Sequence, residues 1–267
     1  MASAAAPDSG RSVSIGRVFS RAFGTIASNP AATLGIAFLF STLPSLLWSY
    51  AAQYAATDAP AGLDNIALIG IGIFSFVVTI LLWMIAQAGL VRATVAFTEG
   101  GRASLAESAM AGLQVALPLF LLLLLSVIAL VLGFALLIVP GVILYVMWSV
   151  AAPALVEERL GPVEALGRSR YLTSGVRWKI FGFTLVMLVL YWLFTAVVGL
   201  ISLMSYGGLD GFQASQSAGP SSPDLAITGI SSTITAALWG VSQSSLYIEL
   251  RDWKDGPRTE ALADIFS

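Results

Sequence analysis

The residues of this chain that could carry chemistry are few, and the absent types set the first bound. Its 267 residues include no Cys and no His. Disulfides and thiol chemistry are thereby excluded, and zinc sites or Ser-His and Cys-His catalysis lose their usual ligand or base. The densest polar patch is Glu157–Lys179, EERLGPVEALGRSRYLTSGVRWK. Glu157, Glu158 and Glu164 are the nearest approach to a carboxylate cluster, but Arg168 and Arg170 stand beside them. That mixture reads as a solvated charge network that organises a surface, not as an acid–base pair. Glu164 and Arg168 have the i,i+4 spacing of an ion pair on one helix face.

An ionisable residue in the middle of an apolar segment would mark a proton relay or a coupled transporter. The chain has none; the clearest polar groups inside the spans are Gln87 and Gln243, each about one to two turns from the inner end of its helix. Each is followed within five or six residues by a charge, Arg92 and Glu249 respectively. Two readings stand. One is a polar vestibule open at the inner end, with Arg92 and Glu249 paired at its rim. The other is hydrogen bonding between the two helices, worth about 0.6 kcal/mol per contact in membranes. Tyr191, Trp192 and Trp239 fall in mid-segment, where their O–H and N–H groups need partners, so packing inside a bundle is expected of them. Gly70-Ile-Gly72 has no soluble helix after it and is not a phosphate loop. No cofactor and no metal are implied.

The elements that must position these residues are membrane helices. Hydrophobic residues make up 57% of the chain and charged residues 10%, against about 25% charged in soluble domains. Five stretches carry no charge: Ala22–Thr57, Asn65–Val91, Ser108–Val156, Ile180–Leu209 and Leu225–Ile248. Each exceeds the roughly 20 residues that cross a bilayer. The third, at 49 residues, holds two crossings, and Pro140-Gly141 is expected to turn between them. Six spans follow, and the thirteen Lys and Arg then share one face, while the opposite loops hold only Asp58, Asp64, Asp210 and Asp224. The positive-inside rule makes the basic face cytoplasmic and places both termini there. The formal net charge of −2 gives no reason to expect a nucleic-acid partner.

Along the chain, residues 1–11 are Ala- and Ser-rich and expected to be disordered. Ile15, Phe19, Ala22, Phe23 and Ile26 then recur at helical spacing opposite Arg17, Ser20 and Arg21, the pattern of an interfacial amphipathic helix. Asn29-Pro30 supplies an N-cap and first-turn proline for span 1. Ser104-Leu-Ala-Glu107 is a capping box opening a second interfacial helix that runs into span 3. Pro162 starts a third, ending at Gly175. The fold class is therefore all-α: a polytopic bundle of six transmembrane helices with three cytoplasmic interfacial helices. It forms a single domain over 12–250, with repeat-like units 12–91, 102–156 and 162–249 and a cytoplasmic tail over 251–267. The Gly- and Ser-rich stretch between spans 5 and 6 is expected to be flexible.

Val139-Pro140-Gly141-Val-Ile-Leu, Pro153-Ala-Leu-Val-Glu157, Gly161-Pro162-Val-Glu164-Ala165-Leu166, Ser169 and Thr173-Ser-Gly175 together resemble the YciC-like proteins. These are bacterial inner-membrane proteins related to the membrane domain attached to some glycerophosphoryl diester phosphodiesterases. The ending Tyr247-Ile-Glu249-Leu-Arg251 is similar to that group as well. The resemblance is strongest over 139–182. It implies a six-span inner-membrane bundle and carries no chemistry with it, since no phosphodiesterase catalytic domain is present. Residue types and resemblance lead to one expectation of function: a non-catalytic scaffold or accessory subunit affecting envelope or lipid homeostasis, partnered by membrane lipids and another membrane protein. The alternative is a transporter or exporter of a small apolar or amphipathic molecule.

Overall fold

In a computed structural model describing residues 12–57, 65–211, 213 and 222–256, the chain is all α-helical, with no strand among the described residues. The stretch 1–11, most of the Gly- and Ser-rich connection and the end of the tail lie outside them. The helices are α1 (Ile15–Ser28), α2 (Pro30–Ala37), α3 (Leu43–Thr57), α4 (Asn65–Thr98), α5 (Leu105–Leu136), α6 (Ile138–Met147), α7 (Ala151–Glu158), α8 (Pro162–Thr173), α9 (Arg177–Ser205) and α10 (Ser222–Lys254). Six are long and apolar enough to cross a membrane, taking α2–α3 and α6–α7 each as one interrupted span. The protein is a membrane helical bundle.

The helix starts follow the local chemistry of the sequence. The Asn29 side chain accepts from the N–H of Ala32 at 3.3 Å with Pro30 in the first turn. Ser104 and Glu107 close a reciprocal capping box at 3.1 and 2.8 Å. Pro162 opens α8, and Gly175 takes a φ of +87° just past its end, where a side chain would be strained. No break separates the second interfacial helix from span 3: α5 is one helix of 32 residues that carries Pro118 inside it.

Prolines also explain where spans bend, and here one expectation is corrected. Pro140-Gly141 is not the turn between spans 3 and 4. The chain reverses at Leu137, whose extended backbone (φ −163°, ψ 153°) caps α6, and Pro140 lies in the first turn of that helix. A proline ring clashes with the carbonyl four residues earlier and has no N–H to donate, so the irregularity belongs one turn upstream. The same displacement recurs twice. Phe38–Thr42 forms a π turn ahead of Pro44, and span 4 is interrupted at Trp148–Val150 ahead of Pro153. Gly141 is needed for the reversal, because the Phe134 ring occupies the place of its missing side chain.

The broken span is completed by α8, which packs one face against it and leaves Val163, Gly167, Arg170 and Tyr171 exposed on the other. Its Ala165, Ser169, Leu172 and Thr173 are buried. The Ser169 hydroxyl donates to the Met147 carbonyl at 2.8 Å and accepts from the Val150 N–H at 3.4 Å. It thus serves one carbonyl and one N–H that the interruption frees. Ser169→Ala is expected to lower stability by about 1–3 kcal/mol, the cost of leaving the buried Val150 N–H unpaired and the Met147 carbonyl with only the longer 3.4 Å bond from Thr173. Thermal unfolding in detergent checks this, and Ser169→Thr, which keeps the hydroxyl, should recover most of the loss.

The well-packed core sits at one end of the bundle. Val18 of α1, Val91 and Val95 of α4, Leu172 of α8, Ile180 and Phe183 of α9, and Leu246, Tyr247 and Ile248 of α10 cluster there. Away from it, α4, α5 and α9 turn Ile73, Phe74, Leu132, Leu136, Leu193 and Val197 outward, as expected where lipid is the solvent.

Candidate functional site

The end of α10 is the hub of the charged end of the bundle. Glu249, 4% exposed, accepts from the Ser14 N–H at 3.0 Å, from Arg17 Nε at 3.0 Å and from Arg17 Nη2 at 2.5 Å. Arg21 lies 3.9 Å from both Glu249 and Asp252 and donates to the Ser245 carbonyl at 3.2 Å. The Glu249 carboxylate raises the pKa of Arg17 by hydrogen bonding. Burial lowers that of Arg21, and Asp252 and Glu249 offset part of the drop. Helix α1 is therefore fastened across the end of α10 by two arginines one turn apart.

A second group stands on the other side of α10. Arg168 Nε donates to both Glu158 oxygens at 2.9 and 2.8 Å, and its other nitrogens reach Asp255. Burial pulls the pKa of Arg168 down, but the hydrogen bonds to Asp255 and Glu158 outweigh it and leave the guanidinium more firmly protonated than usual. The Tyr247 hydroxyl donates to Glu158 at 2.8 Å, and Arg251 lies 3.8 Å from Glu157 and over the Tyr247 ring. Helices α7, α8 and α10 are joined in this way.

Two expected pairings do not form. Arg92 does not meet Glu249; it is exposed and faces Glu99, Arg102 and Glu107 across an open cleft between α4 and α5. The reason is angular. At about 100° per residue, Arg92 lies about 140° around its helix from Gln87, and Glu249 about 120° from Gln243. Helices whose glutamines converge must point these charges elsewhere. Nor does Glu164 pair with Arg168. Glu164 Oε2 accepts from the Gly161 N–H at 2.9 Å and caps its own helix, leaving Arg168 to Glu158 and Asp255. Glu164→Ala should therefore cost about 0.5–2 kcal/mol through the lost cap, with the Arg168 contacts intact; Glu164→Gln, which can still cap, should cost less when both are melted side by side. Arg170 is exposed on α8.

Gln87 and Gln243 do come together with a cavity. Helices α4 and α10 touch at Gly240, where a β-carbon would fall 2.5 Å from Leu90 Cδ1 and 3.0 Å from Gln87 Oε1. Both glutamines line a cavity of about 260 Å³ bounded by α4, α5, α10 and the interrupted α6–α7 span. Gln243 Oε1 is buried and accepts no hydrogen bond, so the two amides are not simply paired with each other. Each lies eleven residues before the charged end of its helix, about 16 Å along the axis. That is farther from the helix ends than the one or two turns expected, because both helices continue past the charge-free stretch.

Trp239 lines this cavity, but the other mid-segment aromatics face outward: Tyr191 is 42% exposed and Trp192 63%. Helix α9 is held through Ile180, Phe183 and Met187 near its start and stands away from the bundle beyond them. Tyr191 borders the groove this leaves between α9 and α10, a space of about 450 Å³ that also reaches Trp83, Gln87 and Trp239.

Sequence reasoning missed Arg17, Arg21, Tyr247, Arg251, Asp252 and Asp255 as members of the charged hub. A usable signal existed. Arg17 and Arg21 share one face of α1 at i,i+4, and Glu249 and Asp252 share one face of α10 at i,i+3. Among the described residues no group of three or more His, Cys, Asp or Glu is placed to hold a metal ion. No protein-family model, curated protein or solved structure matches the chain.

Proposed function

We propose that this membrane protein is a non-catalytic accessory subunit or scaffold of the bacterial inner membrane, akin to the YciC-like proteins, with both termini cytoplasmic. Membrane lipids and another membrane protein are its partners in this reading, and envelope or lipid homeostasis its field of action. The observation that carries it is the stance of α9. Trp192, Leu193, Val197, Leu200 and Met204 are each more than half exposed, and no atom lies near the β-carbon position of Gly199. Small residues let membrane helices approach closely, so this face suits a helix from another chain. The orientation is supported by the gathering of all thirteen basic residues on one side of six spans.

A photoreactive residue placed at Val197 tests the partner. Adducts to a discrete second membrane protein are expected; adducts to lipid alone, at every position tried along α9, count against the accessory role. A reporter fused after residue 267 should be active only in the cytoplasm.

The second reading is a carrier of a small amphipathic molecule. The interrupted span 4 and the amide-bearing cavity beside it favour this one, since broken helices and polar groups within a bundle recur where substrates bind. Reconstituted flux of a labelled amphiphile, dependent on the protein, would move the balance toward it.

A further inference from the structure

We propose that the cavity between α4, α5, α10 and the α6–α7 interruption binds a neutral amphiphile whose head carries a hydroxyl or amide hydrogen-bond donor. This goes beyond the accessory role and does not rest on it, because a scaffold and a carrier could each hold such a molecule.

Three observations fix the chemistry. At about 260 Å³, the cavity lies just below the roughly 300–1,000 Å³ of small-molecule sites. It takes a head and the start of one chain, and excludes a whole two-chain lipid. Its wall holds Trp83, Tyr145, Trp148 and Trp239 with no charged side chain. An ionised head would meet no counter-charge in a medium where uncompensated charge is costly. Gln243 Oε1 is buried there without a donor. A donor on the ligand would satisfy that acceptor, and leaving a buried acceptor unmade is the more expensive state.

The span interruption belongs to the same site. Trp148 and Ser149 sit in the break and line the cavity. The backbone groups nearest the break are served by Ser169, on α8. Irregular backbone at membrane depth persists where protein or a cavity surrounds it. Entry is lateral. Trp83, Gln87 and Trp239 border both this cavity and the groove beside α9, while Glu158, Arg168 and Tyr247 tie α7, α8 and α10 together at the charged end. The ligand therefore comes from the bilayer.

Three probes of equal chain length, each brominated beside the head, separate the possibilities: 2-bromoundecan-1-ol, 2-bromoundecanoate and 2-bromoundecane, titrated into the full chain in phosphatidylcholine nanodiscs. Bromine quenches tryptophan on contact, and three of the chain's seven tryptophans line the cavity. The alcohol is expected to quench saturably, with the carboxylate at least about ten-fold weaker. Gln243→Leu should weaken the alcohol about five-fold, the size of one lost hydrogen bond, and leave the bromoalkane unchanged. Ser126→Phe on α5 and Ala152→Phe on α7 each plug the cavity and should each abolish the saturable component with an unchanged unfolding midpoint; if one fails to fold, the other still decides. Quenching that never saturates, that survives a folded plug variant, or that is equally strong for alcohol and carboxylate overturns the proposal. Insensitivity of the alcohol to Gln243→Leu overturns its recognition of the head.

Discussion

Glu249→Ala is expected to destabilise the protein by about 3–5 kcal/mol, the range for removing one partner of a buried ion pair. The carboxylate is almost wholly buried and receives a backbone N–H and two arginines from α1. Taking it away leaves Arg21, whose side chain is 17% exposed, with Asp252 at 3.9 Å as its remaining acidic partner beside the Ser245 carbonyl. Arg17 loses much less, because its side chain is half exposed and water can replace the partner. Arg17→Ala should therefore cost far less than Glu249→Ala, and Arg21→Met, which removes the stranded charge, should restore part of the loss in the Glu249→Ala background. Limited proteolysis supplies a second readout. Cleavage within α1 should rise sharply in Glu249→Ala and stay near the wild-type level in Arg92→Ala. Equal effects of Arg92→Ala and Arg17→Ala on melting, with Glu249→Ala no worse than either, would contradict the arrangement.

How much of this was legible in the residues depends on the range of the physics involved. Helix starts were legible because Asn29-Pro30, Ser104 with Glu107, and Pro162 act within one turn of themselves. So was the number of spans, since hydropathy over twenty residues needs no partner. The reversal between spans 3 and 4 was off by one turn, because a proline disrupts the carbonyl four residues behind it and not its own position. Pair contacts between distant helices were the least legible. Gln87 and Gln243, read as polar groups near the inner ends of two facing spans, do line one cavity, but Arg92 and Glu249 were attached to them by sequence distance alone, without the rotation that separates them around each helix. The burial of α8 was also hidden. Its mean character is polar, and only its contact with the broken span explains why Ser169 and Thr173 are buried.

Gly112 brings the backbone of α5 close against that of α4, and Gly112→Ala is expected to cost about 1–3 kcal/mol, as overpacking does. A β-carbon there would stand 2.6 Å from the Ile85 carbonyl oxygen and 3.0 Å from its Cα, both backbone atoms. One turn along, Gly89 meets the Ser108 carbonyl in the same way, at 3.2 Å. Residues 85 and 89 of α4 thus face 112 and 108 of α5 in an antiparallel register. Ser108-x-x-x-Gly112 is a small-xxx-small pattern, which membrane helices use to approach closely because lipid leaves packing, not water, as the driving force. Side chains could rotate away from an intruding methyl; backbone cannot, so the helices themselves must part. Parting them opens the wall formed by Met84, Ala88, Leu119 and Leu122, and all four of these residues also line the glutamine cavity. The control is Gly182→Ala on α9, where no atom lies within 4 Å of the new carbon; its effect should be neutral or slightly stabilising, since alanine is the better helix former. Melting temperatures of the two variants in one detergent decide the matter: a large drop for Gly112→Ala beside none for Gly182→Ala is expected, and equal shifts would mean that α4 and α5 do not cross at this point.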